Sequence, residues 1–166
     1  MTLSTILEWL EGTALAGLIQ ESLYGFPAVV AVHILGLMLS VGTLLWVDLR
    51  LLGLCLRTRR VAEIYRGLAP WFAAGFAMMF ASGVVLFTAF ATAAYANVFF
   101  RMKIVAIVLA ALNAVAFHRL SGRSATWDTA PQPPAAVRIA GLISLVLWVG
   151  VIVAGRMMSY TMFSAP

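Results

Sequence analysis

Charge is scarce in this sequence. Only 10% of its 166 residues are Asp, Glu, Lys or Arg, where a soluble domain carries about 25%. Hydrophobic residues make up 63% of the chain, and the mean hydropathy is +1.01. A soluble fold of this length cannot hide so much apolar surface, because too many of its positions face water. The shortage therefore excludes an ordinary soluble enzyme and a disordered chain. Cysteine is nearly missing too: Cys55 stands alone, which excludes an intrachain disulfide and a disulfide scaffold. The first 20 residues hold no Lys or Arg, so the positive leader of a signal peptide is not seen. There is no Ser-His-Asp set, no His-Glu-x-x-His, no phosphate loop and no pair of carboxylates inside an apolar run. A hydrolase or a nucleotide-driven pump needs one of these.

What the sequence has in quantity is long apolar runs. Phe26–Val47 is uncharged over 22 residues, and Leu68–Ala93 is uncharged throughout. Ile104–Phe117 extends back to Val98 if Arg101 and Lys103 lie at its outer end, and Ile139–Ala154 extends toward Phe163. A bilayer core of about 30 Å takes about 20 helical residues. Barrel strands would alternate apolar and polar residues, and nothing here alternates. The expectation is an all-α integral membrane four-helix bundle, a single domain with spans at about 26–48, 68–93, 98–118 and 138–160.

Basic residues sit between the runs. Arg50, Arg57, Arg59, Arg60 and Arg66 follow the first run, and Arg119, Arg123 and Arg138 follow the third. Only Arg101, Lys103 and Arg156 fall on the other side. Eight against three places both long loops in the cytoplasm and both termini outside, as for a multi-pass protein of a bacterial inner membrane. The net charge of +5 is thus an orientation signal. With no basic aromatic groove, it does not imply nucleic acid.

Before the first run, Thr5-x-x-Glu8 reads as a capping box. Leu3, Ile6, Leu7, Leu10, Ala14 and Leu18 approximate one helical face, with Glu8 and Glu11 away from it. A short interfacial helix over about 5–19 follows, with Trp9 at headgroup depth. Pro27 suits the first turn of the next helix. The segment Thr126–Pro134 is polar and proline-rich and reads as a cytoplasmic loop.

An ionisable residue inside a membrane is costly, so each is a functional candidate. His33 lies within the first run; a neutral imidazole there can ligate haem iron or copper, or relay a proton. A packing hydrogen bond to a neighbouring helix is the plain alternative. Arg156, with Tyr160 one turn on, and Arg101 and Lys103 on the third span join it as an outer-leaflet pocket. Such a set suits haem b, with its propionates on the cations, or a quinone. Snorkelling of the basic side chains toward headgroups is the alternative. His118 ends the third span beside Arg119. Helical rise sets His33 about 22 Å above Asp48, at ~1.5 Å per residue, while His118 lies at the inner end. The two histidines therefore do not clamp one iron.

Asp48 reads as an ion-pair anchor or a proton entry point, and Asn113 as an interhelical hydrogen bond. Met157, Met158 and Met162 are soft ligands that admit copper handling, or simply packing. Phe72, Phe76 and Phe80 form an i, i+4 stripe. Gly36/Ser40 and Gly150/Ala154 have the small-xxx-small spacing of close helix crossings.

Glu21-Ser22, Pro27, His33-Ile34-Leu35-Gly36 and Asp48-Leu49-Arg50-Leu51-Leu52-Gly53 carry a resemblance. So do Lys103, Leu112-Asn113, Phe117-His118, Trp127-Asp128, Ser144-Leu145, Leu147-Trp148, Gly155-Arg156 and Tyr160. Together they resemble a bacterial membrane family classed only as a domain of unknown function, which implies fold and compartment. More distantly, His33 and the basic residue opening a histidine-ended span resemble copper-resistance D and HemJ-type bundles. The HemJ type are haem-dependent protoporphyrinogen oxidases. The function expected is a b-type haem- or quinone-linked electron-transfer subunit with His33 as ligand. A non-catalytic anchor for membrane or periplasmic partner proteins, and copper handling, are the alternatives.

Overall fold

The computed structural model describes residues 2–121, 128 and 132–162. Seven helices occupy these residues: α1 Leu3–Glu11, α2 Ala14–Glu21, α3 Gly25–Leu51, α4 Val61–Ala89, α5 Ala91–Ala96, α6 Val98–Ser121 and α7 Ala135–Thr161. Helices α3, α4, α6 and α7 are long and apolar enough to cross a membrane. At 27 residues, α3 and α7 each reach about 40 Å. The protein is an all-α, multi-pass membrane bundle. Most of the long helices' surface is apolar and exposed, as at Val105, Leu109 and Leu112 of α6. Lipid is the solvent such a face needs.

Glycines set the helix crossings. A Cβ on Gly36 would sit 2.6 Å from the Met79 backbone nitrogen, and one on Gly75 2.6 Å from that of Ser40. The backbones of α3 and α4 therefore touch, and Ser40 is fully buried between them. The expected Gly36/Ser40 pair does mark a crossing. Gly150 does not: nothing lies within 4 Å of its Cβ position. Helix α7 instead meets α3 through Gly141, whose Cβ would be 2.9 Å from Leu51 Cβ. Asn113 bonds the Ala140 carbonyl at 3.0 Å and ties α6 to α7. Met79, Ala110, Trp148 and Val151 fill the middle of the bundle. Phe72, Phe76 and Phe80 stack along α4, with centroids 5.9 and 6.3 Å apart.

The N-terminal segment differs from the expected single helix. It breaks at Gly12–Thr13 into α1 and α2, with the Thr13 hydroxyl accepting from the Ala16 N–H. Thr5 is inside α1, not at its cap, so the Thr5–Glu8 capping box does not form; Thr2 occupies the N-cap position. Glu11 instead reaches across the chain, where its carboxylate accepts from the Thr92 N–H at 2.7 Å. The Gln20 amide donates to the Ala89 carbonyl. These two side chains satisfy backbone groups where α4 stops and α5 starts. That is why the second long helix ends at Ala89 and not at Ala93. It also starts earlier than expected, at Val61, and carries Pro70 inside it.

The opposite end of the bundle is built by the Asp48–Gly53 motif. Gly53 has φ 73°; its N–H bonds Arg50 O, and the Leu54 N–H bonds Leu49 O. This is a Schellman stop, and the left-handed position takes glycine without strain. Arg50 is fully buried, donating to the carbonyls of Arg59 at 2.9 Å and Asp128 at 3.4 Å. The Asp128 carboxylate accepts from the Ala62 N–H in the first turn of α4, where negative charge is favoured. The rest of the expected 126–134 loop up to Pro131, with Trp127, lies outside the described residues. So do Arg123 and Phe163.

Candidate functional site

His33 stands eight residues into α3, about 12 Å from its start at ~1.5 Å per residue. Its Nδ1 lies 3.1 Å from the Ser82 hydroxyl on α4, and its Nε2 lies 3.4 Å from Lys103 Nζ on α6. The Ser82 hydroxyl donates its one hydrogen to a backbone carbonyl, Met78 O at 2.7 Å, with Met79 O at 3.1 Å. It therefore accepts from Nδ1–H. That assigns the tautomer: Nε2 carries the lone pair and accepts from the lysine.

One glycine makes room for this chain of groups, and a second borders it. A Cβ on Gly83 would come within 3.1 Å of His33 Cε1, and one on Gly155 would lie 3.8 Å from Lys103 Nζ. All four long helices thus close on one imidazole–ammonium contact. Asn97 caps α6 by accepting from the Phe99 and Phe100 N–H groups, and its amide bonds the Thr161 hydroxyl on α7 at 2.9 Å. Cap and cross-link together fix where Lys103 stands. Toward the α1–α2 end, Phe87 and Phe100 stack with centroids 5.4 Å apart, and Phe26 meets Phe90 edge-on at 5.4 Å. These rings lie between the polar contact and that end of the bundle.

A family model described as Family of unknown function (DUF6644) matches residues 6–161. The chain belongs to the DUF6644 family. No curated protein and no solved structure matches it, and the resemblance to copper-resistance D or HemJ-type bundles finds no support there. The span matched to DUF6644 contains every polar contact described above.

In this DUF6644 chain the expected pocket is drawn differently. Lys103 turns inward to His33, but Arg101 is exposed. Arg156 is exposed as well and lies over the Tyr160 ring at 4.7 Å, its Nη2 donating to the Tyr160 hydroxyl at 2.9 Å. Arg156 and Tyr160 therefore pair with each other along α7 and do not face His33. His118 is exposed, fifteen residues from Lys103 and so about 22 Å along α6. Met157 is exposed and Met158 half-buried; successive residues on a helix point about 100° apart, so these two do not converge. Among the described residues no group of three or more His, Cys, Asp or Glu side chains could hold a metal ion.

Of the two readings of Asp48, the ion-pair anchor is not what its described contact is: its carboxylate accepts from the Ser144 hydroxyl of α7 at 2.8 Å. Ser82, Gly83 and Asn97 are contributors that sequence reasoning missed, and Ser144 entered it without a role. Asn97 had a readable signal, an Asn directly before an apolar run. The serines had none beyond being polar within apolar spans.

Proposed function

We propose that this protein is a subunit of a bacterial inner membrane whose Lys103–His33–Ser82 chain handles protons for quinone-linked electron transfer. The observation that carries the reading is the 3.4 Å contact between Lys103 Nζ and His33 Nε2. An ammonium and an imidazole inside a membrane bundle are both costly, and a packing hydrogen bond needs neither. Together they hold a transferable proton beside a ring able to accept one. Reducing a quinone to a quinol takes two electrons and two protons. The electrons come from a donor carried by a partner membrane or periplasmic protein; Lys103 and His33 serve the protons. The basic asymmetry of the loops supports an orientation with the α1–α2 end, both termini and this site on the outer side.

Haem b ligation through His33 is the rival chemistry. Iron would take Nε2, the nitrogen that Lys103 occupies, so ligation requires Lys103 to withdraw. The test uses protein purified in mild detergent. Decylubiquinone should bind the wild type, and binding should fall away in Lys103→Gln and His33→Ala. No binding by the wild type, or equal binding by all three, would sink the reading. A Soret band lost only in His33→Ala would replace quinone with haem.

A further inference from the structure

The second buried polar contact lies at the other end of α3, in a place the proton chemistry above does not use. Asp48 is only 3% exposed, and its carboxylate meets the Ser144 hydroxyl. It also lines a cleft of about 180 Å³ between α3 and α7, together with Val41, Leu45, Trp148, Val149 and Ile152. The cleft is open on the apolar outer face of the bundle, because Leu45, Val149 and Ile152 are all exposed there. A carboxyl group thus lines an opening that lipid-soluble molecules can enter and that offers little to water.

No cation faces it. Arg50, two residues along α3, points to the carbonyls of Arg59 and Asp128. On α4, the charged residues near this end are Glu63 and Arg66, both exposed. On α7, Arg138 is exposed and Gly141 packs against the Asp48 backbone. On α6, Asn113 is committed to Ala140 O, and Arg119 is exposed. Burying an isolated carboxylate is far costlier than burying a carboxyl group, and a single hydroxyl donor is a modest partner for an ion.

We infer that Asp48 and Ser144 form a proton-binding site, reached from the bilayer through the cleft between α3 and α7. Bound proton and carboxylate make a neutral group that an apolar cleft tolerates, and Ser144 can donate to either form. The site is separate from the His33–Lys103 contact, from which fifteen residues of α3, about 22 Å, divide it. Its test is independent of quinone binding.

Dicyclohexylcarbodiimide is the probe, since it is lipid-soluble and adds to protonated carboxyl groups. The full chain, in phosphatidylcholine vesicles, should form an adduct on Asp48, read by mass spectrometry of its peptides. The rate should fall about tenfold per pH unit once the group ionises. Gly42 lines the same cleft, and nothing lies within 4 Å of its Cβ position. Gly42→Phe therefore places a ring in the opening and should slow the adduct several-fold, with folding checked by circular dichroism. An absent adduct in the wild type, a rate that ignores pH, or an unchanged rate in folded Gly42→Phe would each overturn the inference.

Discussion

Lys103 and His33 stand 3.4 Å apart, nitrogen to nitrogen, although seventy residues separate them in the chain. The contact joins α3 to α6, two helices whose main packing partners are α4 and α7. It is the long lysine side chain that closes the gap. Removing either partner leaves the other in a membrane bundle without its acceptor or donor. We expect Lys103→Gln, which keeps a donor, to preserve folding in detergent and lose only quinone binding. Lys103→Ala should also lower thermal stability. If Lys103→Gln binds quinone as well as the wild type, the ammonium charge is not what matters.

His118 supplies the contrast. It is exposed at the far end of α6, so His118→Ala should leave quinone binding, and any chromophore, as in the wild type. Equal losses from His118→Ala and His33→Ala, followed by absorption and binding, would mean that the depth separation is wrong.

Ser82 orients the imidazole, and its removal should be mild in energy but visible in chemistry. Interhelical hydrogen bonds in membranes contribute on average ~0.6 kcal/mol, with a maximum of ~1.7. Ser82→Ala should cost about that much in a denaturation series. The Nδ1 shift in histidine nitrogen NMR should then move as its N–H loses the Ser82 acceptor, while Lys103 keeps the lone pair on Nε2; an unchanged Nδ1 shift would refute the assigned bond.

The two small-residue pairs make opposite predictions. Gly36→Leu must push α4 away, because the added Cβ meets backbone at 2.6 Å; overpacking of this kind costs about 1–3 kcal/mol. Gly150→Ala meets nothing and gains up to about 1 kcal/mol of helix propensity. Thermal unfolding in detergent should separate the two variants in sign. Destabilisation by both would mean that α7 packs through Gly150 after all.

Orientation is testable by labelling. In a Cys55→Ser background, a periplasmic thiol reagent should reach Glu21→Cys and miss Arg60→Cys. The reverse pattern would invert the topology.

The sequence alone determined that this chain spans a membrane four times as helices. Uncharged runs of bilayer length leave a chain no other way to satisfy its backbone hydrogen bonds in lipid. The same reasoning marked His33, since an ionisable group within such a run is costly wherever the helix packs. It also placed Gly36/Ser40 at a crossing, but could not tell it from Gly150/Ala154. Small residues at the same spacing are required where backbones touch and merely tolerated where a helix faces lipid. Only tertiary structure decided which basic residue turns inward. Arg101, Lys103 and Arg156 look alike in the chain, all near the outer ends of their spans. Yet a helix turns each successive residue by about 100°, so Arg101 and Arg156 face outward while Lys103 meets His33. The same rotation pairs Asp48 with Ser144 and sends Arg50 to backbone carbonyls. A pattern of residue types carries depth along a helix, but azimuth is set by what the neighbouring helices present, and the polar contacts of this protein are matters of azimuth.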